Sequence, residues 1–121
     1  MEEVKIPGGV YSDKIRARFW VAIGDQGYVG IGRIELLEFI HRYGSMNKAA
    51  KEMGMSYKKA WKLIDEMNEM FDQPLVIKAQ GGKSGGGSVL TERGLEVIER
   101  FRAFEQRFAN FLQQEGEQLT I

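Results

Sequence analysis

Asn47 to Ile64 read "NKAAKEMGMSYKKAWKLI". A helical run of about two turns meets a longer one through Met53-Gly54-Met55-Ser56, which is the arrangement of a helix-turn-helix. Each residue has a steric reason. Ala50 is small where the second helix must cross closely, and Gly54 stands where the chain leaves the first helix and needs positive φ. Ala60 and Leu63 are expected to face back and cement the pair. Tyr57, Lys58, Lys59 and Lys62 are then left near the exposed N-terminal part of the second helix, a part that a major groove can admit.

Taken alone, the helix pair leaves two readings even, because lysines on the wet side of any helix can be merely solvated. The distribution of charge tips the balance. From Arg42 to Lys62 there are six basic residues (Arg42, Lys48, Lys51, Lys58, Lys59, Lys62) against one acid, Glu52. Asp65, Glu66, Glu69 and Asp72 follow with no base among them. A helix dipole favours the reverse order, acids early and bases late. An arrangement against that preference implies a negatively charged partner at the N-terminal end, and phosphate fits. The net charge of the chain is zero, but a phosphate backbone feels the local field.

Working outward, residues 1–12 read as a loose arm broken by Pro7, Gly8 and Gly9. "KIRARFWVAIG" alternates, with Ile15, Ala17, Phe19 and Val21 on one side and Lys14, Arg16, Arg18 and Trp20 on the other. That predicts one strand with a wet face. "YVGIG" is its pairing partner across the "GDQG" turn, weakened by two glycines. "RIELLEFIHRY" carries the stripe Ile34, Leu36, Leu37 and Ile40 of a first helix. Gly44 ends it, and Ser45 caps the short helix that Gly54 stops. Ser56 caps the next, where Ala60, Leu63 or Ile64, Met67 and Phe71 recur on one side until Pro74. "LVIKA" and "SVL" predict two more strands. Thr91 starts a last helix, along which Leu95, Ile98, Phe101, Phe104, Phe108 and Phe111 recur at steps of three or four.

Between those two strands lies "AQGGKSGGGSVLT", Ala79–Thr91, five of whose thirteen residues are glycine. A phosphate-binding loop needs glycines leading into Lys-Ser or Lys-Thr and then directly into a helix. Lys83-Ser84 is present, but the leading glycine is missing and more glycines follow. What remains behind the stretch is too short to form a second domain, which disfavours a linker. The tip of a hairpin beside the helix pair, a wing, fits best. Its glycines, Gly85 and Gly86 among them, let the backbone lie close to a sugar-phosphate surface, and Lys83 adds a charge.

Composition removes several other classes. The 121 residues suffice for one domain and a real core. There is no apolar run of membrane-spanning length and no signal peptide. With no cysteine and a single histidine, His41, the chain has no disulfide, thiolate or multi-histidine metal site. His41 reads as a surface or boundary residue, and the four acids from Asp65 to Asp72 as a solvated face, since they lack the loop of a calcium site. Nothing assembles a nucleophile, a base and an orienting group, so no enzyme activity is expected. Trp61 has three readings: core, buttress of the wing, or base stacking. Trp20 lies on the polar side of its strand, where a protein contact is expected. Phe101, Phe104, Phe108 and Phe111 outrun what so small a domain easily covers. Either the N-terminal strand folds across them or a second copy buries them, and the dimer is favoured.

The same residues carry a family likeness. "GSMNKAAKEMGMSYKKAWKLIDEMNEMF" followed by "PLVIKAQGGKSGGGSVLTERG" resembles the N-terminal DNA-binding domain of the ModE-type molybdate-responsive transcription regulators, from about Ile15 to Phe111. The resemblance implies a winged helix-turn-helix dimerised through the strand region and the long last helix. It places Ser56, Tyr57, Lys58, Lys59 and Lys62 at double-stranded DNA, and Lys83 with Ser84, Gly85 and Gly86 in the wing. Full-length members continue into β-barrel domains that bind molybdate. No such segment follows here, so no tight molybdate binding by this chain alone is expected, and no cofactor. Met1 and the tapering "EGEQLTI" read as natural ends.

The expectation is therefore an α+β fold: a winged helix-turn-helix with an N-terminal β-hairpin and a long C-terminal dimerisation helix, residues 13–121 behind a flexible arm. The function expected is that of a cytoplasmic, homodimeric, sequence-specific DNA-binding transcriptional regulator. Its recognition helix would span about 56–71 and its wing about 75–90. Trp20, Phe101, Phe104, Phe108 and Phe111 would form the dimer interface. The rival reading is a winged-helix adaptor or regulatory subunit that does not bind DNA. Operator, sign of regulation and effector are not written in the sequence.

Overall fold

The computed structural model describes residues 6–79 and 87–121. Among them the order is β1 (Gly9–Val10), β2 (Arg16–Ala17), β3 (Trp20–Ile23), β4 (Gly27–Gly30), α1 (Ile31–Tyr43), α2 (Met46–Glu52), α3 (Tyr57–Met70), β5 (Val76–Lys78), β6 (Ser88–Leu90) and α4 (Glu92–Gln118). The fold is α+β, and each described strand pairs antiparallel with its neighbour in sequence: β1 with β2, β3 with β4, β5 with β6. The chain groups into two compact units, Trp20–Phe101 and the two ends, Met1–Phe19 with Arg102–Ile121.

The core of the central unit is built by the helix stripes. Ile34, Leu36, Leu37 and Ile40 of α1 are fully buried, as are Met46 and Ala49 of α2, Ala60, Ile64 and Met67 of α3, and Leu75 ahead of β5. Each large aliphatic side chain so enclosed contributes about 1.5–3 kcal/mol. Gly44 closes α1 in the left-handed region at φ 60°, its N–H donating to the Ile40 carbonyl at 2.8 Å. On α3 the face turned inward is that of Ile64, while Leu63 is only half-buried. Leu63 is thus not the residue that cements the helix pair. A 3.6-residue period falls between steps of three and four, and Met67 continues the step from Ile64.

The single strand expected over 15–21 is instead two. Arg16–Ala17 pair with Gly9–Val10, and Trp20–Ile23 pair with Gly27–Gly30. Residues 9–12, read as part of the loose arm, therefore carry β1 and the start of a turn, where the Tyr11 and Ser12 amides donate to the Ile15 carbonyl. The inside-outside alternation holds as far as Trp20 and is lost within β3, whose first three residues are all exposed. Ile15, Ala17 and Phe19 are half-buried and Arg16 and Trp20 exposed, but Val21, expected on the inner side, is exposed at 37 % across from the buried Val29. The "YVGIG" pairing is present. Trp20 faces Gly30, whose missing side chain leaves room for the indole: a Cβ there would stand 2.7 Å from the Trp20 ring.

In the unit of the two ends, the N-terminal hairpin lies on the C-terminal half of α4. Phe19 meets Phe104 edge-on with ring centroids 5.2 Å apart and Phe108 at 5.3 Å, and Tyr11 meets Phe108 at 5.3 Å. The Tyr11 hydroxyl donates to Glu105 at 3.3 Å. Burial and the neighbouring Glu105 carboxylate push the phenol above its ordinary range, against a smaller opposing pull from Arg102. Gln113 donates to the Tyr11 carbonyl and Lys14 to that of Leu119. Gly116 is buried beneath Ser12 and Ile15.

Candidate nucleic-acid interface

The helix-turn-helix is α2, a four-residue turn and α3. Ser45 caps α2 by accepting from the Lys48 amide at 3.2 Å, and Ser56 caps α3 by accepting from Lys59 at 3.1 Å. Between them the chain reverses through Gly54 at φ 68°, with the Met55 amide donating to the Ala50 carbonyl at 3.0 Å. Ala50 is buried, as its small size at a close crossing requires. The expected capping and turn chemistry is therefore present.

These caps fix which way α3 presents its first turn. Ser56, Tyr57, Lys58, Lys59 and Lys62 are all exposed, and none of the three lysines is paired with a carboxylate among the described residues. α3 has no acid in its first turn and no base in its last, so its lysines stand at the positive end of its dipole uncompensated. The first turn thus combines the ammonium groups of Lys58 and Lys59 with free helix N–H donors, and Lys62 adds a third in the second turn, an arrangement suited to an extended anion. Tyr57 is half open at 49 % and can offer a hydroxyl and an aromatic edge.

Farther along α3 the acids are used structurally. Glu66 accepts from Arg33 of α1 at 2.9 Å, and the same guanidinium donates to the Leu63 carbonyl at 3.3 Å, which holds α3 against α1. Asp72, just past the helix, pairs with Arg93 of α4 at 3.2 Å. Among the described residues no group of acids and histidines could hold a metal ion. His41 is exposed near the end of α1.

Three side chains join the wing strands to their surroundings, and the sequence reading passed over two of them, Asn68 and Lys78. The Asn68 amide accepts from Leu75 N–H at 2.8 Å and Val76 N–H at 3.3 Å, and donates to the Val76 carbonyl at 3.0 Å. Lys78, two residues on and so on the same strand face as Val76, holds its ammonium 5.1 Å over the Trp61 ring. Trp61 in turn meets Tyr57 edge-on at 6.5 Å. Of its three readings, Trp61 takes that of a buttress between wing strand and helix. At the base of the wing, Ser88 N–H donates to the Gly44 carbonyl at 3.2 Å and Gly87 bridges to Ser45. Thr91, expected to start the last helix, donates to the Pro74 carbonyl at 2.7 Å and caps α4 by accepting from Gly94 N–H at 3.0 Å. The signal for Lys78 was its i,i+2 spacing from Val76. Asn68 lay inside the quoted "DEMN", without a partner to suggest its use.

Lys83, Ser84, Gly85 and Gly86, expected at the tip of the wing, lie outside the described residues. The residues expected at a dimer interface are spread along the chain. Trp20 is 52 % exposed beside Tyr28 on the outer face of β3–β4, with ring centroids 6.5 Å apart. Phe101 is buried, Phe108 is half-buried under Tyr11 and Phe19, and Phe104 and Phe111 remain open at 44 % and 57 %.

Residues 31–95 match the family described as bacterial regulatory helix-turn-helix protein, lysR family, a family of regulators rather than of enzymes. The chain is 45% identical over 88 residues to the molybdenum transport protein ModE of Azotobacter vinelandii, covering 73% of this chain and 33% of that one. It is 47% identical over 77 residues to the molybdenum-pterin-binding protein MopA of Rhodobacter capsulatus, covering 64% and 29%. With the DNA-binding transcriptional dual regulator ModE of Escherichia coli K12 it shares 46% over 74 residues, 61% of this chain and 28% of that regulator. The chain spans about a third of the length of these relatives. Among the described residues no helix is long and apolar enough to cross a membrane.

Proposed function

Because this chain belongs to the lysR-family bacterial regulatory helix-turn-helix proteins, homologous to the N-terminal domain of ModE-type regulators, we propose that it binds double-stranded DNA as a cytoplasmic, homodimeric transcriptional regulator. The observation that carries this reading is the first two turns of α3. Tyr57, Lys58, Lys59 and Lys62 are exposed there together, the lysines unpaired with acids among the described residues and set at the positive end of the helix. Inserted into a major groove, such a helix end brings Tyr57 and Lys59 toward base edges and Lys58 and Lys62 to the flanking phosphates. β5–β6 serve as the wing, with Lys83 and its neighbours expected on the backbone. A two-fold pair of such surfaces reads two half-sites, which raises a modest single contact to useful affinity.

The test is enrichment of duplexes from a random pool by the purified chain, followed by fluorescence anisotropy on the enriched sequence and a scrambled one. Tighter binding of the enriched duplex, with affinity falling steeply as salt rises, is expected. No enrichment, together with equal weak binding of both duplexes, would move the protein to the adaptor class.

A further inference from the structure

Trp61 is the least explained side chain in the helix-turn-helix. Its ring is wedged between helix and wing strand, yet its indole Nε1–H is enclosed with no hydrogen-bond partner among the described residues. A buried donor left unmade is uncommon and asks for a reason. It also means that no hydrogen bond fixes the rotation of the indole. Lys78 lies over its face and Tyr57 against its edge.

Lys78 itself is held by its strand. β5 runs back along α3, with Val76 tied to Asn68 and Lys78 reaching Trp61, two helical turns nearer the N-terminus of α3. Lys78 is not paired with a carboxylate among the described residues, so the indole face is its one described polar partner. Tyr57, one turn before Trp61, is the exposed end of this chain of contacts.

We propose that Lys78 is a positioning residue for DNA sequence discrimination: it seats Trp61, and Trp61 sets the direction in which Tyr57 meets the groove. Lys78 then acts through the ring and not as a phosphate contact, although it is a lysine in the wing. The inference rests on the DNA-binding reading above and adds to it a residue that governs selectivity.

The discriminating variants are Lys78→Gln, which removes the cation, and Lys78→Arg, which keeps a cation able to lie over an indole. Each is compared with the unaltered chain on the enriched and the scrambled duplex across a salt series, with thermal unfolding measured alongside. Lys78→Gln is expected to lower the ratio of the two affinities about fivefold, the effect of one cation–π contact. The dependence on salt should stay unchanged, and Lys78→Arg should restore the ratio. Equal weakening of both duplexes with a shallower salt dependence would make Lys78 a phosphate contact and overturn the proposal. So would an unchanged ratio, or a lowered ratio that Lys78→Arg fails to restore. If the unaltered chain prefers neither duplex, the DNA-binding reading falls first and takes this inference with it.

Discussion

Gly94 in the first turns of α4 lies directly against Leu75. A Cβ placed on Gly94 would overlap the Leu75 carbonyl oxygen, stand 3.2 Å from its carbonyl carbon and come within 3.0 Å of Leu90. Leu75 cannot retreat easily. It is fully buried, its amide is held by Asn68, and its carbonyl accepts from the Thr91 amide at 2.9 Å. The close approach is what lets α4 start beside the base of the wing.

Gly94→Ala should therefore destabilise the protein. Alanine gains about 0.8–1 kcal/mol over glycine in a helix interior, but overlap with fixed backbone costs about 1–3 kcal/mol, and the second term wins. Gly32→Ala is the matched control, because nothing lies within 4 Å of the added carbon in α1; it should be neutral or slightly stabilising. Urea unfolding of both variants checks the pair. A Gly94→Ala protein as stable as the parent would contradict the packing described.

Asn68→Ala should loosen the wing from α3. The substitution removes the acceptor of the buried Leu75 amide and both bonds to Val76, at a cost of about 1–3 kcal/mol for the groups left unmade. Hydrogen exchange at the Leu75 amide should accelerate more than exchange within α1. Uniform acceleration across the central unit would instead indicate general loss of stability.

What the sequence made legible was whatever local chemistry determines. The stripe Ile34, Leu36, Leu37 and Ile40, the caps Ser45 and Ser56 and the turn at Gly54 each follow from residues within one or two helical turns of each other. The residues missed all act across elements. Asn68 reaches β5, Lys78 reaches back to Trp61, and Gly94 makes room for Leu75; no periodicity announces such contacts. The division of the strand at 18–19 was hidden for a related reason. Period-two alternation continues from β2 into β3, and only the pairing partners, Gly9–Val10 and Gly27–Gly30, separate them. The phenylalanines posed a choice between cover by the N-terminal strand and cover by a second copy. Phe108 has the first, while Phe104 and Phe111 keep open surface.

That open surface makes Phe111 the position from which to test the proposed dimer. Phe108→Asp would also disrupt the contacts with Tyr11 and Phe19, so a change in assembly could not be separated from local unfolding. Phe111 is 57 % exposed in the single chain, and aspartate there is costly only if a partner buries it. The parent chain should sediment at about twice 13.8 kDa at tens of micromolar. Phe111→Asp should raise the dissociation constant at least about tenfold, roughly 1.4 kcal/mol, with helix content retained. A parent mass of a single chain at those concentrations would end the dimer proposal.

The charges proposed at the DNA divide by what they read. Lys83, expected at the wing tip, is proposed to lie on the backbone, where charge neutralisation is independent of sequence. Lys83→Ala should weaken enriched and scrambled duplexes by similar factors. It should also lower the salt slope by about one for each phosphate no longer neutralised, hence about two for a symmetric dimer. Lys59 stands in the first turn of α3 with its amide fixed by the Ser56 cap, so its side chain starts from a defined point near the groove. If it reaches a base edge, Lys59→Ala should cost more on the enriched duplex than on the scrambled one, by about 1–3 kcal/mol per contact. Gly85→Val adds a separate arm, since a β-branched side chain holds the backbone away from a sugar-phosphate surface; it should behave as Lys83→Ala does, with thermal stability unchanged. Anisotropy titrations at several salt concentrations measure all three variants together. Unchanged affinity and slope for Lys83→Ala and Gly85→Val would take the wing off the DNA and leave α3 as the whole of the contact. A Lys59→Ala loss equal on both duplexes would make Lys59 another phosphate ligand and shift the burden of discrimination to Tyr57.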